Sequence, residues 1–233
     1  MSTILVTGGT GTLGRDLLPL LPGAITLSRT PGPDRRVGNL MTGQGVAPAL
    51  EGVDVVIHLA DGRDQARATR TLVDAAAPGT HIVMVSIVGI DDIPLGYYRA
   101  KRAAEQVLVE SGLPHTILRT TQFHPFAAGL IAPPLPVLLA PRLRIQPIDT
   151  REVAAALAAL AKAKPAGRVA DLGGPEILSG AEIAGQLKAA RGLKRPVLPL
   201  VFAGRIWSGY AAGHHLVPEN RAEGRTFAEY LTS

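Results

Sequence analysis

Tyr97 and Lys101, in the stretch Leu95-Gly96-Tyr97-Tyr98-Arg99-Ala100-Lys101-Arg102-Ala103-Ala104-Glu105, have the types and the separation for acid–base chemistry. Residues four apart share one face of a helix, so Tyr97 and Lys101 point the same way while Tyr98 is turned aside. A phenol that exchanges protons near neutrality must come down from a pKa of about 10, and three units amount to about 4 kcal/mol. One cation about 4 Å away supplies energy of that order in a partly screened site. The spacing assigns proton exchange to Tyr97 and its tuning to Lys101. Surface helices in unrelated chains also carry Tyr-x-x-x-Lys, so the pair acquires meaning only from what surrounds it.

A second group of residues implies what the pair works with. The run Ile4-Leu5-Val6-Thr7 empties into Gly8, Gly9, Gly11 and Gly14, and Arg15-Asp16-Leu17-Leu18 then reads as a helix. Strand, tight turn and helix follow one another. G-x-G-x-x-G falls on Gly9, Gly11 and Gly14, and an overlapping G-x-x-G-x-x-G on Gly8, Gly11 and Gly14. Gly8 turns the chain off the strand, Gly11 lets a pyrophosphate approach bare backbone, and Gly14 is expected to let the helix pack closely on the sheet. The turn, with Gly8, Thr10, Gly11, Thr12, Leu13 and Gly14, is thereby assigned to a dinucleotide whose phosphates meet free N–H groups of the helix. About twenty residues past the first glycine, where an NAD site places Asp or Glu, stand Ser28 and Arg29. A guanidinium favours a ribose 2′-phosphate, so NADP (as NADPH) is expected over NAD, with Arg35 or Arg36 in reserve.

These residues require a scaffold of alternating strands and helices. Strands are expected at Ala24 to Leu27, Val37 to Leu40, Val53 to Ala60 and His81 to Ser86, with a helix from Gln65 to Ala77. Near-continuous apolar strands suit a parallel sheet covered on both faces. The fold class is α/β, a doubly wound parallel sheet of Rossmann type. Residues 1–125 are expected to form the NAD(P)-binding core and 126–233 a substrate-pocket region completing the same globular unit. His58, inside an apolar strand, is read as a packed structural residue.

Composition narrows the classes further. Hydrophobic residues make up 46% and charged residues 18%, enough for a buried core and against disorder. The formal charge is +5, but nineteen of the 24 basic residues are arginines spread along the chain, which argues against nucleic-acid binding. There is no cysteine, hence no disulfide or thiolate metal site. No basic-then-apolar leader precedes the first strand, and no run is long enough to span a bilayer, so a cytoplasmic protein without membrane partners is expected.

Taken together, the chain resembles the short-chain dehydrogenase/reductase superfamily, and more narrowly its atypical, NmrA-like NAD(P)-binding branch. The resemblance rests on the glycine turn, on Val55-Val56-Ile57-His58-Leu59-Ala60, on Tyr97 and Lys101 followed by Ala104-Glu105, and on Ile117-Leu118-Arg119-Thr120-Thr121-Gln122-Phe123. Asp149-Thr150-Arg151-Glu152-Val153-Ala154 and Leu172-Gly173-Gly174-Pro175-Glu176 fit it as well. It implies that Asn39 and Leu40 lie near the adenine, Ala60 and Asp61 near its ribose, and Thr120, Thr121, Gln122 and Phe123 beside the nicotinamide. It also implies Tyr97 as proton donor and Lys101 as its partner. Family members carry a serine or threonine at the end of the fifth strand to orient the substrate carbonyl; Ser86 is the candidate, and another register puts Ile87 there.

Beyond Phe123, His124-Pro125-Phe126 leads into a proline-interrupted run to Leu139, read as a lid or pocket wall rather than a regular helix. His124 is either a proton-transfer or substrate-recognising residue or a loop histidine without special role. Helices are expected from Glu152 to Ala163, from a Ser179–Glu182 capping box to Gly192, and as a short tail after Arg221. Phe202, Ile206 and Tyr210 recur every four residues as one apolar face. His214 and His215 lack metal-site spacing, and no metal is expected. The expected function is an NADPH-dependent oxidoreductase transferring hydride between the nicotinamide and a small apolar carbonyl, quinone or related substrate, as a monomer or homodimer. The alternative is a non-enzymatic NADP(H) sensor acting on a protein partner.

Overall fold

The computed structural model describes residues 2–62, 64–201 and 203–232. The described chain runs β1 (Ile4–Thr7), α1 (Thr12–Leu17), β2 (Ile25–Ser28), β3 (Arg35–Val37), α2 (Val46–Leu50), β4 (Val55–His58), α3 (Gln65–Ala75), β5 (His81–Ile87), α4 (Gly96–Glu110) and β6 (His115–Thr120). It continues with α5 (His124–Ile131), β7 (Leu138–Pro141), β8 (Arg144–Ile145), α6 (Thr150–Lys162), β9 (Gly167–Arg168), β10 (Leu178–Ser179), α7 (Gly180–Arg191), β11 (Val197–Leu200), α8 (Arg205–Ala212) and α9 (Phe227–Leu231). The chain folds into two compact units from interleaved segments: 1–86, 96–119 and 153–170 form one, and 87–95, 120–152 and 171–233 the other.

The first unit is built on a parallel sheet of order β3-β2-β1-β4-β5-β6-β9. Every residue of β4 is buried, as is β5 up to Ser86, so apolar runs such as Val55-Val56-Ile57 satisfy both faces of a covered sheet. Its core gathers Leu5, Val56, Leu72, Ile82, Met84 and Leu108. The order reverses direction between β1 and β4, whose registers pair Ile4 with Val55 and Thr7 with His58. Crevices in such sheets open at this reversal, beyond the carboxyl ends of the strands.

The second unit contains α5, α7, α8, α9 and two small two-stranded sheets, β10-β8 and β11-β7. Ala127, Ile131, Leu138, Ile183, Leu187 and Phe227 are its core. The Ser179–Glu182 capping box forms as expected, and Gly192 closes α7 in the left-handed conformation.

Three local expectations are corrected. The third strand is Arg35–Val37 rather than Val37 to Leu40, because Asn39 leaves the sheet: its Oδ1 accepts the Met41 N–H and its carbonyl accepts the Gly43 N–H. The segment after Phe123 begins as a helix, α5, since Pro125 sits in the first turn where its missing N–H costs nothing; the chain turns non-helical only ahead of Pro133. Gly14 meets its own turn most closely. A Cβ there would lie 2.5 Å from the Gly9 backbone, while Gly9 is the glycine that meets β2, 2.9 Å from the Thr26 side chain. Phe202 lies outside the described residues; Ile206 and Tyr210 are on α8.

Candidate active site

At the sheet reversal in the first unit lies a cleft of about 700 Å³. Its floor is the glycine turn. Gly8 has φ +71°, and a Cβ on it would come within 2.8 Å of the Leu59 and Ala60 backbone, so only glycine lets the end of β1 lie against the end of β4. Gly11, the residue before α1, would meet only the Gly8 carbonyl with a Cβ, and its other side faces open space. A bare-backbone cradle of this kind fits a dinucleotide pyrophosphate.

The cleft brings together Gly8, Thr10, Gly11, Ser28, Arg29, Asn39, Leu40, Ala60 and Asp61 of the expected contacts. Arg29 is exposed at the end of β2, beside Ser28, whose hydroxyl accepts the Thr30 N–H at 3.1 Å. Arg35 also lines the cleft, whereas Arg36 is committed elsewhere, donating to the carbonyls of Ala49 and Glu51. Thr12, Leu13 and Gly14 are not part of the lining; Leu13 and Gly14 are buried beneath the turn.

A buried hydrogen-bonded chain ties together two residues of the lining, Ala60 and Gln65. Thr69 donates to the Gln65 carbonyl at 2.9 Å, so His58 Nε2, 3.1 Å from the Thr69 hydroxyl, must be the donor of that pair. His58 Nδ1 then accepts from Thr7 at 2.8 Å, and Thr7 Oγ1 accepts the Ala60 N–H. Burial pushes the imidazole down to about 3, with the charge of Lys101 adding to the effect, so it stays in this neutral tautomer. His58 is the structural residue expected.

Tyr97 has a direct partner on the loop after β4. It is 45% exposed at the start of α4, and its hydroxyl donates to Asp61 Oδ2 at 2.5 Å. Partial burial and then the Asp61 carboxylate push the phenol above the ordinary tyrosine range; only the nearby Gln65 side chain pulls the other way. Lys101 is 7% exposed because the inward stripe of α4 runs Tyr98, Lys101, Ala104, Glu105, Leu108. Burial lowers its pKa, and the carboxylates of Asp61 and Glu105 oppose that. The lysine's charge acts on His58, and the carboxylates of Asp61 and Glu105 act on the lysine. A second, open cavity of about 530 Å³, lined by Asp61, Gly62, Gly96, Tyr97 and Ala100, shares Asp61 and Gly62 with the cleft.

Ser86 lies near the end of β5, 2% exposed, with a hydroxyl that has no hydrogen-bond partner; Ile87 follows as the last residue of the strand.

Residues 8–163 match the model of the NAD(P)H-binding family. The chain belongs to this family. Among curated relatives, a (4-alkanoyl-5-oxo-2,5-dihydrofuran-3-yl)methyl phosphate reductase of Streptomyces griseus is 31% identical over 216 residues, covering 83% of this chain and 75% of the relative. An NAD(P)H azoreductase of Xenophilus azovorans shows the same identity and coverage. Among solved structures, an NADPH-dependent quinone oxidoreductase from Escherichia coli, complexed with NADPH, shares the fold with a TM-score of 0.81 at 20% identity, covering 99% of each chain.

In this NAD(P)H-binding protein the remaining expected residues belong to the second unit. Thr120, Thr121 and His124 are buried, while Gln122 and Phe123 are half-buried. Thr121 Oγ1 accepts the Gly174 N–H, and the Gln122 Oε1 is buried without a partner. His124 is not in a loop: it opens α5, bonds the Arg225 carbonyl through Nε2 at 3.1 Å and stacks on Tyr230 at 5.0 Å. Those contacts anchor α9. Among the described residues no group of three His, Cys, Asp or Glu is placed to hold a metal, and no helix is long and apolar enough to cross a membrane.

Among the lining residues that sequence reasoning missed are Gln65, Met41 and Gly38. Gln65 follows Asp64, whose carboxylate caps α3, and this capping position was its only signal.

Proposed function

We propose that this NAD(P)-dependent oxidoreductase uses NADPH and reduces a small, largely apolar carbonyl, quinone or related acceptor. The carrying observation is the composition of the cleft at the end of β2. Ser28, Arg29, Thr30 and Arg35 stand there, and the acidic residue that would bind a free ribose 2′-hydroxyl does not. The names of the relatives, a quinone oxidoreductase, an azoreductase and a furanone-phosphate reductase, support an acceptor with an electron-poor carbonyl or azo group.

In this reading the glycine turn holds the pyrophosphate, Asn39 and Leu40 flank the adenine, and Ala60 and Asp61 the adjacent ribose. Thr120, Thr121, Gln122 and Phe123 serve the nicotinamide. NADPH, when bound, supplies the hydride. Tyr97 delivers the proton to the acceptor oxygen in the cavity lined by Gly62, Gly96 and Ala100, and Ser86 orients that oxygen.

The test is a pair of binding titrations, NADPH and NADH, on the natural chain and on Arg29→Asp, followed by NADPH oxidation with quinones, enones, aldehydes and azo compounds. A charge-assisted contact of about 1.5–3 kcal/mol corresponds to a loss of roughly 10- to 150-fold in NADPH affinity, with NADH unchanged or tighter. Equal affinities for the two cofactors in the natural chain would overturn the NADPH assignment. Tight NADPH binding without turnover on any acceptor would overturn the acceptor assignment.

A further inference from the structure

Gln65 is 3% exposed, and neither the oxygen nor the nitrogen of its carboxamide completes a hydrogen bond. A buried amide left in that condition is costly, of the order of 1–3 kcal/mol, and a methionine or leucine of similar volume would avoid the cost. The residue's position gives the amide a task. Gln65 is the first residue of α3 and Tyr97 the second of α4, two helices packed against each other in the first unit. Both follow strands of one parallel sheet, so their N-terminal ends lie at the same edge of it. Asp61, which accepts the Tyr97 hydroxyl at 2.5 Å, lines the same cleft as Gln65.

We propose that Gln65 is a positioning residue for Tyr97: its buried carboxamide N–H, uncommitted to any other acceptor, donates to the phenolic oxygen when Tyr97 gives up its proton. The inference rests on the reading of Tyr97 as proton donor. In that step the Tyr97 O–H bond breaks, the proton goes to the acceptor oxygen as hydride arrives at the acceptor carbon, and the electron pair stays on the phenolic oxygen. The charge so formed faces Asp61 from the loop after β4, which opposes it, with Asp64 at the start of α3 also lining the cleft. Lys101, on the same helix, is turned inward toward Glu105 and Asp61. A neutral donor that is already desolvated incurs no further burial cost when it turns to the new charge, and such groups act strongly where water is excluded. The direction in which Gln65 moves the Tyr97 titration agrees with this role.

The test uses fluorotyrosine, read by fluorine NMR, with Tyr97→Phe identifying the position-97 resonance. Its titration is compared in the natural chain, in Gln65→Met and in Gln65→Glu. The proposal expects Gln65→Met to fold with unchanged or higher thermal stability, to raise the position-97 titration by about one unit, a tenfold loss of phenolate, and to lower kcat. Gln65→Glu, which replaces the donor by a second carboxylate, is expected to raise the titration further. An unchanged titration in Gln65→Met overturns the inference. If the titration moves but Tyr97→Phe retains full turnover, the Gln65–Tyr97 link stands and the assignment of Tyr97 as proton donor falls.

Discussion

Burial and Asp61 together set the state of Tyr97, burial being the larger cause. A carboxylate 2.5 Å from a phenol stabilises the protonated form through the hydrogen bond and penalises the phenolate through its charge. The proton-donor role proposed for Tyr97 calls for the opposite near neutrality; in that reading Asp61 is engaged otherwise during turnover, by a ribose hydroxyl of NADPH in the shared cleft. Replacing Asp61 by Asn removes the charge and leaves the partial burial, which is the larger cause of the upward shift. The position-97 titration is therefore expected to fall in Asp61→Asn while remaining above the ordinary tyrosine range, and the alkaline limb of the pH–rate profile to move to lower pH with it. A limb that stays in place would mean that Asp61 does not face the phenol in the working enzyme. At this scale the tyrosine and the lysine were both legible in the sequence, because i, i+4 spacing is a property of one helix. Their partners were not: which carboxylate meets the phenol depends on the loop after β4, 36 residues earlier.

Among the elements, the junction of β1, α1 and β4 carries the site, and its glycines are unequal. Gly8 has a left-handed backbone and a neighbouring strand end within 2.8 Å of any Cβ, and Gly14 faces the Gly9 backbone at 2.5 Å. Both clashes are with backbone, which cannot rotate away. Gly8→Ala is expected to lower stability by at least about 1–3 kcal/mol, the cost of overpacking at a strained position, and to abolish NADPH binding. Gly11→Ala, which would meet only one carbonyl at 3.2 Å, is expected to keep its stability and lose affinity alone. Thermal denaturation beside a cofactor titration separates the two effects, and equal destabilisation by both substitutions would contradict the difference in their surroundings.

A second junction holds α4 to β6. Arg119 forms a two-pronged pair with Glu105, at 2.9 and 2.6 Å, with both side chains buried. Glu105→Gln removes the carboxylate from a buried guanidinium and is expected to cost about 3–5 kcal/mol, measured by urea unfolding; a loss below about 1 kcal/mol would show that the pair is solvated in solution. The strand–helix alternation was readable because period and glycine placement are local signals. Helix α5 was not, since Pro125 is as compatible with a first helical turn as with a loop, and the choice is made by packing of Ala127, Ala128 and Ile131 into the core of the second unit. The early end of β3 was equally hidden: Asn39 takes its turn through a side-chain bond to Met41, which competes with extending the strand.

Across the whole chain, four histidines in the two units are held below their ordinary pKa, in each case chiefly by burial: His58, His81, His124 and His215. The unfolded chain binds protons at these sites near 6.5 while the folded chain does not, so the unfolded state gains protons as the solution is acidified. Their contribution to stability is full above 6.5 and declines as the pH falls below it, continuing for His58 down to about 3. The His58 share over that span is of the order of 5 kcal/mol, a large part of the total stability of an ordinary domain. His58→Gln keeps a donor and an acceptor between Thr7 and Thr69 but has no proton to take up. The variant is expected to be less stable than the natural chain at pH 7 and to lose less on acidification, its slope of unfolding free energy against pH smaller by about 1.4 kcal/mol per unit, one proton's worth, between pH 4 and 6. Denaturant midpoints at a series of pH values measure both slopes. Parallel slopes would mean either that His58 takes up its proton in the folded chain, which would remove the neutral tautomer on which the buried Thr7–His58–Thr69 chain depends, or that it stays neutral in the unfolded chain, which would remove the linkage to stability.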